Sequence, residues 1–371
     1  MKKENLDLAI KLRHELHQNP EISNKEKWTK RHLINFLRKN TNLEIIDKGL
    51  WFYAVYRSEE GRKNIAFRAD FDAIEMDESI DLPYGSQNSG ISHKCGHDGH
   101  SATMAAFALE IDQKGSDNNI FFLFQHAEEI GTGAKLAVEL IKEENIDEIF
   151  AYHNESGIPF KSINVIDETA HYASKGMIIH MEGTPSHASE PEKGKNPSFA
   201  IAKIIDAIPA LTSDEKNKGK VFCTIIQVDI GKRAFGIQAS KGKLLLTIRA
   251  FYEEEMDKLE ENIKSIAIEE AKKYGLKVNF SFEDYFPETV NNKESNDKIR
   301  KVAKENDLEL LEIEEASRGS EDYGYYTKET KGSIFYIGNG EDYPNIHSYE
   351  YDFRDELIEI GVKMFKGLSN L

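Results

Sequence analysis

The chain has 371 residues, a formal net charge of −17 and 39% hydrophobic residues. That length suits two domains, the hydrophobic fraction is too low for a membrane protein, and the acidity repels phosphate backbones, which sets nucleic-acid binding aside. No apolar run is long enough to span a bilayer, and polar residues follow Met1-Lys2-Lys3 where an export signal would place an apolar stretch, so a cytoplasmic protein without membrane attachment is expected.

Leu6, Ala9 and Ile10, then Leu33, Phe36 and Leu37, recur at helical spacing. Strand-like runs follow at Trp51 to Tyr56, Asn64 to Phe71, Asn119 to Gln125 and Glu148 to His153. Helical patterns lie between them, one carrying Met104, Phe107, Ala108 and Ile111, another Leu136, Leu140 and Ile141. Short apolar strands separated by helices predict an α/β sheet with helices on both faces. Near Ala173 the pattern restarts. It gives a strand from Gly176 to Gly183 and a helix with Ile201, Ile204, Ile205 and Ile208. Strands over Val221 to Ile230 and Lys243 to Tyr252 come next, then a helix with Met256, Leu259, Ile263 and Ile266, and a strand from Lys277 to Phe286. That β-α-β-β-α-β order is ferredoxin-like. The expectation is therefore an α/β domain in two segments, 1–173 and 288–371, with a small domain, 174–287, inserted between them. The final helix carries Ile360, Met364, Phe365 and Leu368.

The densest chemical signal is Cys95-Gly96-His97-Asp98-Gly99-His100. Thiolate, imidazole and carboxylate are the ligand set of zinc and related divalent ions, and the interleaved glycines let the backbone turn tightly. The chain has only two cysteines and 12 histidines, so such a cluster is not typical of a surface loop. Cys223 lies in an alternating apolar run and reads as a buried strand thiol. Gln125-His126-Ala127-Glu128-Glu129 closes an apolar strand. Alone it would equally suit a solvated helix start; beside the cluster, one Glu reads as ligand and the other as general base. His153 ends another strand, and His347 lies in a polar loop. Strand ends are where ligands gather in open α/β sheets, and this donor set suits a two-metal site.

These segments resemble the dinuclear metallopeptidase family of the aminoacylases and related carboxypeptidases. Within it they are most similar to the amidohydrolase branch of auxin-conjugate hydrolases, hippurate hydrolases and bacterial N-acyl-amino-acid deacylases. The likeness runs from Arg13-His14-Glu15-Leu16-His17-Gln18-Asn19-Pro20-Glu21 through Arg68-Ala69-Asp70-Phe71-Asp72-Ala73, the Cys-Gly-His-Asp-Gly-His element and Gln125 to Glu129. It continues to Ser186-His187-Ala188, Gly319-Ser320-Glu321-Asp322-Tyr323 and His347-Ser348.

The resemblance implies Cys95, His97, Glu129, His153 and His347 as ligands of two divalent ions, manganese or zinc first, cobalt or nickel as alternatives. It implies Glu128 as the catalytic carboxylate and Asp72 as the group orienting a ligand. It also implies that His187, from the inserted lid, helps at the oxyanion and that Arg249 faces a substrate carboxylate. Read alone, Asp72 would also suit a strand-end turn, His187 a loop and Arg249 a strand surface. The expected substrate is an N-acyl amino acid or small peptide, and a homodimer or higher homo-oligomer through the lid is expected. Hinges are placed near Ala173 and Phe286. Three stretches depart from the family pattern. Gly236 replaces an expected asparagine in Gly231-Lys232-Arg233-Ala234-Phe235-Gly236, and prolines are missing from Ala73-Ile74-Glu75 and Asn154-Glu155-Ser156. Competing readings are a dipeptidase, an N-acetyl-diaminopimelate deacetylase, and a metal-binding protein that has lost catalysis. Retention of Glu128, which serves turnover and not binding of metal, argues against the last.

Overall fold

Burial of alternating apolar residues builds the strands. In a computed structural model describing residues 1–371, these are β1 (Glu44–Asp47), β2 (Phe52–Tyr56), β3 (Asn64–Asp70), β4 (Asn119–Gln125), β5 (Glu148–Ser156), β6 (Ile163–Val165) and β7 (Glu168–His171). Then come β8 (Ala173–Glu182), β9 (Val221–Ile230), β10 (Lys241–Ala250) and β11 (Lys277–Phe286), and finally β12 (Thr289–Asn291), β13 (Leu310–Glu312) and β14 (Lys331–Gly340). Contacts divide the chain into two units. One comprises Met1–Ala170, Thr289–Glu315 and Glu321–Leu371; the other comprises His171–Glu288 and Ala316–Ser320.

The first unit holds an eight-stranded sheet in the order β1-β2-β4-β3-β5-β14-β6-β13. Its centre is parallel: β3 pairs with β4 and β5, and β5 with β14. On one face Ile120, Phe122 and Phe124 of β4 join the core, while Phe121 on the other approaches Tyr53 at 6.3 Å. Phe67 meets Phe107 edge-to-face at 4.8 Å and Phe365 at a tilt at 4.9 Å. Each such buried ring contributes roughly 1.5–3 kcal/mol relative to exposure.

The helix His97–Lys114 is buried from His97 to Ile111, not on one stripe as the spacing of its large residues predicts. It packs between the sheet and the helices Lys3–Gln18 and Glu356–Leu368. Small residues allow this: a Cβ on Gly99 would lie inside the Phe353 ring. The predicted helix around Leu136 is two short ones, Gly133–Ala137 and Glu139–Glu143, with Leu140 buried and Leu136 exposed. No helix is long and apolar enough to cross a membrane.

The second unit carries a four-stranded antiparallel sheet, β11-β8-β10-β9. The helices Ser198–Leu211 and Glu253–Tyr274 pack against it through Ile201, Ile204, Ile208, Met256, Leu259 and Ile263. In chain order this is strand, helix, strand, strand, helix, strand. Cys223 is only partly buried, because β9 is the sheet edge and most of its residues are exposed.

Candidate metal centre

Parallel strands end at one edge, and the acidic and imidazole side chains collect there. β3 ends at Asp70, with Asp72 two residues on; β4 ends at Gln125, ahead of Glu128 and Glu129; β5 carries His153 near its end. Between β3 and β4 the chain returns to this edge at Cys95 and enters the helix at His97, after a left-handed Gly96 with φ 100°. Gly96 has no room for a side chain, since a Cβ would strike Asn154 and the Tyr351 hydroxyl.

The donor atoms converge. Cys95 Sγ lies 3.4 Å from His153 Nε2. His97 Nδ1 faces Asp72, 3.2 Å from Oδ1 and 3.1 Å from the backbone oxygen. Its Nε2 lies between Asp70 Oδ2, 3.7 Å away, and Glu129 Oε1, 3.8 Å away. Glu129 Oε1 in turn lies 3.5 Å from His347 Nε2. Among the trios whose donor atoms lie within 4.8 Å of one another are Cys95, His97 and His153; Cys95, Glu129 and His347; His97, Glu128 and Glu129; and Asp70, His97 and His100. His347 is the most exposed of these, held by its N–H on the Lys94 carbonyl at 2.7 Å with φ 58°. Asp72 is fully buried; its Oδ2 accepts from Ser23 Oγ at 2.7 Å and from the Glu129 N–H at 3.1 Å, so it fixes one imidazole and one carboxylate together.

Charge explains what this arrangement lacks. Burial disfavours a protonated His97, yet Asp70, Asp72 and Glu129 pull its pKa up to about 10. Burial raises the Cys95 thiol far above its usual range, and Glu129, Glu128 and Asp70 add to this. Glu128 is likewise held well above the usual carboxylate range, by burial first and then by Glu321, Glu129 and Asp322. Arg68 opposes that rise but is committed elsewhere. Its Nη1 donates to Asp70 at 2.7 Å, its Nη2 to Glu321 and Asp322 at 3.0 Å each, and its Nε to Gln125 at 2.8 Å. The cluster is short of positive charge. Two of its buried atoms, His97 Nε2 and Glu129 Oε1, have no hydrogen-bond partner, and unpartnered buried polar atoms are costly. Cys, His and carboxylate donors that converge while two of their buried atoms lack partners fit divalent cations.

Not every residue of the motif faces this centre. His100 is held between Asp70 Oδ1 at 2.6 Å and Asn154 Oδ1 at 2.7 Å. Asp98 turns the other way, to His17 Nδ1 at 2.8 Å and Arg13 Nη1 at 3.5 Å. His187 and Arg249 belong to the second unit. His187 is exposed, its Nδ1 2.6 Å from Ser189 Oγ. Arg249 Nη1 donates to the Arg318 carbonyl at 2.9 Å and to Ser320 Oγ at 2.6 Å. The residues that sequence reasoning leaves without a role are Arg68, Asp70, His100 and Asn154. Buried charge inside an otherwise apolar strand was the available signal for the first two.

A carboxylate beside a cation-seeking ligand set, at the open edge of a parallel sheet, belongs to metal-dependent hydrolysis. The chain belongs to peptidase family M20/M25/M40, whose model matches residues 66–370, and it is a metal-dependent amide hydrolase. It is 26% identical over 367 residues to the N-acetylcysteine deacetylase of Bacillus subtilis, covering 97% of this chain and 95% of that protein. It is 28% identical over 374 residues to the hippurate hydrolase of Campylobacter jejuni, covering 97% and 95%. A Bacillus subtilis protein described as a dinuclear metal binding peptidase has the same fold. Its TM-score is 0.84 at 24% identity, covering 100% of this chain and 98% of that one.

Proposed function

We propose that this chain cleaves the amide bond of N-acyl amino acids or related small amides. In this reading Cys95, His97, Glu129, His153 and His347 hold two divalent cations, and Glu128 carries the proton. The observation that bears most weight is the pair of buried, unpartnered atoms, His97 Nε2 and Glu129 Oε1, facing each other across 3.8 Å. When bound, the cations acidify a water molecule and polarise the scissile carbonyl.

The remaining work falls to side chains. Asp72 accepts the Nδ1 proton of His97, fixing the tautomer that leaves Nε2 as a donor to metal. Glu128 lies beside Glu129 with no hydrogen bond or ion pair of its own; with bound cations offsetting the neighbouring carboxylates, it would be ionised and free to accept the proton of the attacking water. It then delivers that proton to the departing amine nitrogen, which is a poor leaving group as an anion. A neighbourhood of Glu321, Glu129 and Asp322 favours its protonated form between those two transfers. His187 serves the oxyanion and Arg249 the substrate carboxylate, both from a lid formed by residues 174–287 between catalytic segments 1–173 and 288–371.

Zinc suits the cysteine and imidazoles; manganese, cobalt and nickel are the other candidates. A free thiol at Cys95 suits the reducing cytoplasm. The edge strand β9 exposes Ile226 at 59% and Val228 at 45%, and an unpaired apolar edge favours pairing with a second copy. Sedimentation showing only monomer at working concentration removes that dimer.

The deciding experiment measures metal content and amine release on one preparation, wild type against Glu128→Ala. N-acetyl, N-benzoyl and long-chain N-acyl amino acids and dipeptides form the panel. About two metals per chain in both proteins, with release only in wild type, supports the reading. A protein that takes up no divalent metal under reducing conditions refutes it.

A further inference from the structure

The strand that delivers His153 continues to an acidic side chain that the mechanism above does not use. Along β5, Phe150 and Tyr152 enter the core and Asn154 turns to His100. Side chains alternate between faces of a strand, so Ala151, His153 and Glu155 share the opposite face. A parallel strand advances about 3.3 Å per residue, which places Glu155 roughly 7 Å beyond His153 toward the carboxyl edge. In the paired strand β14, Tyr336 stands opposite His153 and Gly338 opposite Glu155. Where a Gly338 side chain would project lies the carbonyl of Pro159. Ser162 Oγ, 2.9 Å from that position, and Tyr336 beside His153 also line this face, and none of these neighbours carries a positive charge.

No lysine, arginine or histidine of the chain pairs with Glu155. Its carboxylate takes a hydrogen bond from the Ser156 N–H and is otherwise shaped by burial alone. The nearby cations on the following loop and on the C-terminal segment are engaged elsewhere. Lys161 Nζ lies over the Phe160 ring at 4.9 Å. The Arg354 guanidinium stacks on Phe160 at 3.5 Å, and its Nη1 donates to the Asn339 carbonyl at 2.9 Å. Arg68 is held by three carboxylates. A half-buried carboxylate without a counter-charge carries a desolvation cost that an arriving cation relieves.

We propose that Glu155 selects the substrate by receiving an ammonium carried about one extended side chain away from the scissile amide, so that N-acylated basic amino acids are the preferred class. The separation along the strand matches the reach from the α-nitrogen to the terminal ammonium of a lysine-type side chain. Bound divalent cations would repel that ammonium, and a carboxylate placed just beyond them offsets the repulsion. The proposal rests on the amide-hydrolase reading above and narrows its substrate.

Two N-acetyl amino acids with the same four-carbon side chain separate the effects: Nα-acetyl-lysine and N-acetyl-norleucine, of which only the first carries a terminal ammonium. Wild type is expected to favour the lysine compound in kcat/KM by about 10- to 100-fold, the size of one charged hydrogen bond. Glu155→Gln is expected to collapse that ratio to near one while metal content stays at the wild-type level. Calorimetric titration of lysine and norleucine into the metal-loaded proteins gives a second readout that does not require turnover. The same preference, lost in Glu155→Gln, is expected there. A wild-type ratio near one, a ratio that survives Glu155→Gln, or equal binding of the two amino acids overturns the proposal. If neither acetyl compound is cleaved but lysine alone binds through Glu155, the selection stands and the hydrolytic assignment is what fails.

Discussion

Asp98 and His97 are neighbours in sequence and look into opposite worlds. His97 faces a cluster rich in carboxylates, imidazole and thiol, where the unpartnered His97 Nε2 and Glu129 Oε1 have no arginine or lysine beside them; the network around Asp98 also has atoms without a hydrogen bond, but there Arg13 Nε lies 2.9 Å from Asp355 Oδ1. Asp98 faces a network made of similar residues that supplies its own cations. There Arg13 pairs with Asp352 at 2.6 Å, Asp355 at 2.9 Å and Asp98 at 3.5 Å. His17 bridges Asp98 at 2.8 Å and Glu78 at 2.9 Å, and Lys94 reaches Glu78 as well. The difference is where the positive charge comes from. A network closed by Arg and Lys of the chain holds structure; one left open takes its charge from outside and can do chemistry with it.

The sharpest way to break this contrast is at Glu128, which belongs to the open cluster without being a ligand. Glu128→Gln should reduce turnover by about 10²–10⁴-fold while elemental analysis finds the metal retained. Retained turnover would move the proton carrier elsewhere. On the closed side, Asp98→Ala leaves Arg13 and His17 buried without their shared partner and should lower unfolding stability by about 3–5 kcal/mol, read by denaturant melts. A loss under 1 kcal/mol would mean the network is not structural.

Chelation tests the open side in the same units. Binding to the folded state at a free metal level 100 times Kd adds about 2.7 kcal/mol. Stripping metal should remove that from wild type and from Glu128→Gln alike, and a smaller loss in the variant would make Glu128 a ligand. The smallest effect expected is a pH signature of the closed network. Burial opposes it, but Asp98 and Glu78 raise His17 to about 9, while His17 and Lys94, against burial, lower Glu78 to about 2. The raised histidine contributes stability that is complete below about 6.5 and lost as pH rises through about 9. The lowered glutamate contributes stability present above about 4.5 and lost as pH falls toward 2. The melting temperature of wild type minus that of His17→Asn should therefore be widest between about pH 4.5 and 6.5. A difference flat with pH would remove the charge from His17.

The open cluster was more legible in the sequence than the closed one, for a physical reason. Part of it is a short-range signal: Cys95 and His97 two residues apart, and Glu128 and Glu129 at the end of an apolar run; His153 and His347 stand alone in the sequence and are picked out as ligands by the family resemblance. The closed network joins Arg13 to Asp352 across 339 positions, and no local pattern announces such a pair. The α/β alternation was legible because strands and helices carry different apolar periods. The all-round burial of the helix His97–Lys114 was not, since its small residues read as weakly apolar, and only the packing of two further helices on it reveals why they are small. The segment Ala316–Ser320, which goes with the second unit while its flanks belong to the first, has no sequence signature either.

Arg68 shows what such long connections demand of a growing chain. Its partners Glu321 and Asp322 follow it by 253 and 254 positions. At roughly 5–20 residues per second, on the order of ten to fifty seconds separate their appearance at the ribosome. During that interval β3 carries a guanidinium whose only acidic partner already made is Asp70, in a strand destined for complete burial. The residues from His171 to Glu288 emerge whole in the meantime. The parallel centre of the sheet therefore waits for the end of translation, and a truncation before Glu321 leaves it with a charge it cannot bury.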